Sequence, residues 1–163
     1  MSKKSVNYRL DVKQIEIQNI YRVGTHGDGT CLIHSFLFVT SEVYRNLPSS
    51  KQKSFGRNYR KKLAKHLLHV LKKPKPHTME LHKFLKETIY PTVQDDYDTI
   101  EEYILDVLND PDEWLDEDIL VLLEKISPVN LVVLHNRTFV MRGTNVYDPS
   151  KPIAFLYFVN ENH

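Results

Sequence analysis

The only cysteine in this 163-residue chain, Cys31, is the one side chain placed to act as a strong nucleophile. It closes the run Thr25-His26-Gly27-Asp28-Gly29-Thr30-Cys31, and Gly24, Gly27 and Gly29 are three of the chain's five glycines. Glycine serves where backbone takes unusual angles or approaches a ligand closely. The segment from Cys31 to Leu47 has no glycine and reads as a mostly buried helix. The thiol then falls in the first helical turn, where unpaired N–H groups favour the thiolate. Loop, thiol and helix in this order describe an activated nucleophile. Read in isolation, the same residues also fit a small buried hydrophobe.

A thiol nucleophile needs a base, and eight histidines are available. His66, His69, His77 and His82 lie in basic helical stretches and read as solvated surface. His34 sits one helical turn beyond Cys31, where it would point alongside the thiol rather than at it. His26 lies in the loop itself and is within reach, and His135 reads as a hairpin-turn residue. His163 differs because it follows the most apolar stretch of the chain, Ile153 to Val159. A histidine after a buried strand is delivered to a sheet edge, where a helix-borne cysteine could meet it. Other chemistries lack their motifs. The glycine run has no Gly-Lys-Ser/Thr ending for a phosphate, and neither His-Glu-x-x-His nor paired cysteines mark a metal. No metal or cofactor is expected.

Positioning these groups falls to a helix-rich first part and a strand-rich end. The sequence predicts helices from Cys31 to Leu47, from about Ser50 to Lys72, and from Thr78 as cap to a stop at Pro91. Phe55, Tyr59, Leu63, Leu67 and Leu71 form the stripe of the second helix, and Leu81, Phe84, Leu85 and Ile89 that of the third. Thr99 and Glu102 match a capping box opening a helix through Leu108, which Asn109 to Pro111 breaks. Asp116 can cap another helix, ended at Ser127-Pro128. Strands follow at Leu131–Leu134, Thr138–Met141 and Ile153–Val159, with turns at His135–Arg137, Gly143/Asn145 and Asp148-Pro149. Unbroken apolarity in these strands suggests cover on both faces. Ile15, Ile17, Tyr21 and Val23 suggest a strand or extended lead-in. Helices first and strands afterwards point to α+β.

Composition is that of an ordinary globular chain, 41% hydrophobic and 26% charged. Its size suits one domain over residues 1–163. A single cysteine rules out an internal disulfide and suits a reducing compartment. The first residues lack the apolar core of a secretory signal, and the longest apolar run is far too short to cross a bilayer. A soluble cytoplasmic protein is the expectation. The net charge of +1 hides a split: residues 1–91 hold 18 Lys and Arg against 6 Asp and Glu, and residues 92–163 hold 4 against 15. A charged partner for at least one part is implied.

The turn Gly27-Asp28-Gly29-Thr30-Cys31-Leu32 and the apolar helix after it resemble the nucleophile motif of the OTU (ovarian tumour) family of deubiquitinating cysteine proteases. Two further blocks resemble that family in order. One is Trp114 with the acidic cap, the helix to Ile126 and the strand Leu131–Leu134. The other is the terminal strand followed by Asn162-His163. The likeness spans about residues 20 to 163. It implies the papain-like OTU fold, with helices packed around a small central β-sheet. It also implies hydrolysis of the isopeptide bond after the last glycine of ubiquitin or a ubiquitin-like modifier. Cys31 would be the nucleophile and His163 the base, with backbone N–H groups around Asp28 and Cys31 holding the oxyanion. Gly29, Thr30, Trp114 and Asn162 would line the path of the substrate. Partners would be ubiquitin or polyubiquitin, met by a monomer. Many such compact domains occur in viral proteins that blunt host ubiquitin signalling, so the host cytoplasm is the expected setting if the source is viral.

Most family members carry an Asp or Asn two residues beyond the histidine, and here the sequence stops at His163. The expectation is a domain cut from a longer chain, with Asn19 or Asp28 as the alternative orienting group. Trp114 also reads as a core anchor at a helix start. The twelve carboxylates from Asp95 to Asp118, with no Lys or Arg among them, read as a solvated face or as partners for the arginines of ubiquitin's tail. Two other classes of function compete. One is a ubiquitin-binding module with weak or no catalysis. The other is a nucleic-acid-binding domain built on the ten Lys and Arg of Lys51–Lys75, ranked lower because Phe55 and Tyr59 share the stripe of Leu63 and Leu67.

Overall fold

A computed structural model describes residues 7–9, 24–135, 140–142 and 148–158. The chain is mostly helical with a small sheet, an α+β-like arrangement. It divides into two compact units: Thr25–Leu122, and Met1–Gly24 with Leu123–His163.

The first unit is helical. Helix α1 (Cys31–Thr40) buries Ile33, His34, Phe36 and Leu37. The helix expected through Leu47 breaks at Ser41, whose extended backbone ends α1 and whose hydroxyl accepts the Tyr44 N–H to start α2 (Glu42–Arg45). The β-branched Val39 and Thr40 weaken the last turn, and the serine offers the backbone a cap in place of helix. Helix α3 (Ser49–Lys72) matches its expected span and buries Leu63, Ala64, Leu67, Val70 and Leu71. Its Phe55 and Tyr59 stack on Tyr44 and Phe36, so they serve the core, as their stripe suggested.

Pro91 does not stop the third helix. Helix α4 (Met79–Phe84) passes through a π turn (Leu85–Ile89) into α5 (Tyr90–Val93), with Pro91 in its first turn. The Tyr90 N–H reaches back to Leu85, so the register has already slipped by one residue where proline's missing donor falls. Thr78 does not cap α4 either. Its hydroxyl accepts the Lys75 N–H and donates to the Lys75 carbonyl around a 3₁₀ turn. The capping box is formed in both directions, Glu102 N–H to Thr99 Oγ1 and Thr99 N–H to Glu102, each 3.2 Å. It opens α6 (Ile100–Tyr103), which continues as a π turn (Ile104–Leu108) packed against α3. Asp116 accepts the Ile119 N–H at 3.0 Å and caps α7 (Glu117–Ile126) as expected, while also accepting the Tyr103 hydroxyl at 2.7 Å.

The second unit holds a four-stranded sheet in the order β1-β3-β2-β4, built from β1 (Asn7–Arg9), β2 (Asn130–His135), β3 (Val140–Arg142) and β4 (Ile153–Phe158). The long pair, β2 with β4, is parallel from Asn130/Ile153 to His135/Phe158, and β3 is antiparallel to both β2 and β1. β1 was not anticipated. The Asp148-Pro149 turn is present: Ser150 caps the Asp148 carboxylate, and the buried Asn130 amide ties it down through the Asp148 and Lys151 carbonyls. Leu131 and Val132 are both buried, which fits a central strand. β4 is not covered on both faces. It lies at the sheet edge, where Ile153 and Phe155 are exposed and Leu156 is buried. The lead-in from Ile15 to Val23, the turns at 136–137 and 143–145, Thr138 and Val159 lie outside the described residues. No helix among the described residues is long and apolar enough to cross a membrane.

Candidate functional site around Cys31

Cys31 is the first residue of α1 and half-buried. The turn before it is built by Asp28, whose carboxylate accepts the Thr30 N–H at 3.0 Å and whose carbonyl accepts the Cys31 N–H at 2.9 Å. The Thr30 carbonyl in turn receives the His34 N–H and starts the helix. The expected preference for thiolate is reversed. Burial pushes the thiol's pKa up, the backbone N–H of Leu32 lowers it, the Asp28 carboxylate raises it, and the Cys31 N–H and Arg60 lower it less. Helix-terminal N–H groups act as expected here, but desolvation outweighs them.

The backbone expected to hold an oxyanion is occupied. The Cys31 N–H is spent on the Asp28 carbonyl. Asp28 itself is flanked by two cations and a neutral ring: Lys53 Nζ and Arg57 Nη2 lie 3.8 Å from Oδ2, and His34 Nε2 lies 3.7 Å from Oδ1.

Gly29 and Thr30, expected along the substrate's path, are both buried. A Cβ on Gly29 would fall 2.8 Å from the carbonyl oxygens of Asp112 and Glu113, so glycine is required for the turn to meet the loop after α6. The Thr30 hydroxyl donates to the Pro111 carbonyl at 3.3 Å. Trp114 follows that loop directly and is 47% exposed, so it is no core anchor; only its placement on the surface beside the loop agrees with a lining role.

Arg60 was missed by sequence reasoning, which counted it only among the ten Lys and Arg that a nucleic-acid partner could meet. Its side chain is fully buried and donates all five N–H groups. Nε binds the Leu108 carbonyl at 2.9 Å, Nη1 the Gly29 carbonyl at 2.9 Å and the Thr30 hydroxyl at 3.4 Å, and Nη2 the carbonyls of Glu113 at 2.8 Å and of Val107. The available signal was positional: Arg60 lies one turn before Leu63 and Ala64, on the apolar side of α3.

The histidines separate clearly. His34 is fully buried, its Nδ1 2.7 Å from the Tyr44 hydroxyl, and burial lowers its pKa to about 4. Its ring fills a space left by Gly56, where a Cβ would lie 2.3 Å from it. His26 packs edge-on against His34. His66, His69 and His77 are exposed and His82 is half-buried, close to expectation. His135 ends β2. Asn19, Asn162 and His163 lie outside the described residues.

A groove of about 580 Å³ runs along the 106–113 segment, with Lys61, Tyr97, Leu105, Asp106, Asp110 and Glu113 in its walls. No residue of the cysteine turn lines it. Compared with protein-family models, curated proteins and solved structures, the chain has no significant match. The likeness to the OTU family therefore rests on the three sequence blocks.

Proposed function

We propose that the chain is an OTU-type thiol hydrolase that removes ubiquitin, or a ubiquitin-like modifier, from lysine side chains. The observation that carries this reading is Cys31 at the first position of a helix, behind a turn in which the carbonyls of Asp28, Gly29 and Thr30 and the N–H groups of Thr30 and Cys31 are each held by a named partner. In the proposed reaction His163 takes the Cys31 proton and Sγ attacks the carbonyl of the modifier's last glycine. The lysine amine leaves with the proton from His163, and water then hydrolyses the thioester. A thiol raised by burial makes such a base necessary. The Asp28–Gly29 peptide turns over as substrate enters, freeing the Cys31 N–H for the oxyanion, a rotation that glycine permits. Trp114 and Asn162 flank the substrate's tail, with Gly29 and Thr30 shaping the turn beneath it. The carboxylates of the 106–113 segment receive the tail's arginines.

Incubation with diubiquitin tests this directly: wild type releases monoubiquitin and Cys31→Ser does not. Release by the variant at the wild-type rate contradicts the reading. A second reading, a module that binds ubiquitin without cleaving it, is favoured by the occupied Cys31 N–H and the raised thiol. It predicts binding to immobilised ubiquitin with no monoubiquitin released by wild type.

A further inference from the structure

We infer that Arg60 is a positioning residue for the nucleophile, clamping the Gly29 carbonyl and Thr30 hydroxyl to the carbonyls of Val107, Leu108 and Glu113 so that Cys31 is presented in reactive geometry. The inference rests on the thiol-hydrolase reading. Its basis is the way the guanidinium is used. All five donors are engaged, the side chain is fully buried, and every direct partner is a carbonyl or a hydroxyl rather than a carboxylate. Burying a charge among neutral partners is costly, and an apolar side chain of similar volume fills such space at lower cost. What an apolar side chain cannot do is hold acceptors from two loops in one plane.

The held backbone is the part that matters for Cys31. The Gly29–Thr30 peptide is fixed at both ends, its carbonyl by Arg60 and its N–H by the Asp28 carboxylate. The next peptide is locked into α1 through the His34 N–H. The peptide left to turn is Asp28–Gly29, whose carbonyl covers the Cys31 N–H. Arg60 thus anchors the turn on the nucleophile's side while the oxyanion site opens on the other. Its charge also lies close enough to favour the thiolate against burial and Asp28. Gly29 is the point where the clamped loops touch, with no room for a Cβ between them.

Arg60→Lys keeps the charge but replaces a planar fork by one ammonium. With folding checked by circular dichroism, kcat on a ubiquitin–lysine isopeptide substrate should fall about tenfold or more while KM stays within about threefold. Iodoacetamide should label Cys31 faster as the turn loosens, moving opposite to turnover. A folded Arg60→Lys with wild-type kcat and wild-type labelling rate overturns the proposal. If that variant does not fold, Thr30→Val reports instead: severalfold lower kcat at unchanged KM supports the clamp, and wild-type kcat contradicts it. If wild type itself cleaves no ubiquitin substrate, the hydrolase reading fails. The labelling rates of wild type and variant then judge the clamp alone, faster labelling supporting it and equal rates overturning it.

Discussion

Buried ionisable side chains dominate the neighbourhood of Cys31, and each is shifted first by burial and then by different neighbouring charges. Arg60 is held by neutral acceptors, with Asp110, Asp28, Glu113 and Asp112 offsetting part of its desolvation through space. His34 is desolvated, and the cations Lys53 and Arg57 together with His26 oppose its protonation, with only Asp28 in favour. The native ring releases its proton at about 4, against 6.5 for an unperturbed histidine, so the unfolded state binds more protons between these values. Stability from this group is complete above pH 6.5 and is lost as pH falls toward 4. Between pH 7.5 and 5 the loss should be about 2 kcal/mol. Urea unfolding at those two pH values measures it, and His34→Gln should flatten the dependence. Equal slopes for variant and wild type would show that His34 is not the titrating group.

At the scale of elements, α1 and α3 are brought together by a contact that neither helix's apolar stripe announces. Gly56 sits mid-helix, where alanine would ordinarily stabilise by about 1 kcal/mol. Here the added Cβ would lie 2.3 Å from His34 Cε1 and 2.6 Å from Nδ1, forcing the ring away from Tyr44. Gly56→Ala should therefore destabilise by about 2 kcal/mol net in chemical denaturation; a neutral or stabilised variant would refute this packing. Elements governed by local chemistry were legible in the sequence. The Thr99/Glu102 box, the Asp116 cap and the Asp148 turn all follow from side chains bonding backbone a few residues away, and the span of α3 from its apolar stripe and the prolines that flank it. Elements governed by competition were not. Ser41 divides a helix that periodicity alone would continue, and a π turn carries the chain past Pro91. The candidate site divides in the same way: Cys31 and its turn are visible as a motif. Arg60 is invisible because its partners lie 30 to 53 residues away in sequence.

For the whole molecule, the charge split now has residues attached to it. The basic stretch is α3, which contributes one buried cation to the turn and sets Lys53 and Arg57 beside Asp28. The acidic stretch supplies the 106–113 segment, which meets the turn through its carbonyl groups and through Asp112, 3.6 Å from Arg57, while Asp106, Asp110 and Glu113 line a groove. The reading of this arrangement as a ubiquitin hydrolase turns on whether Cys31 is the nucleophile. The most direct measurement is the intact mass after incubation with ubiquitin carrying a thiol-reactive group at its C-terminus. Wild type should gain the mass of one ubiquitin, and Cys31→Ala should gain none. An unmodified wild-type chain, or an adduct that persists in Cys31→Ala, would contradict the account.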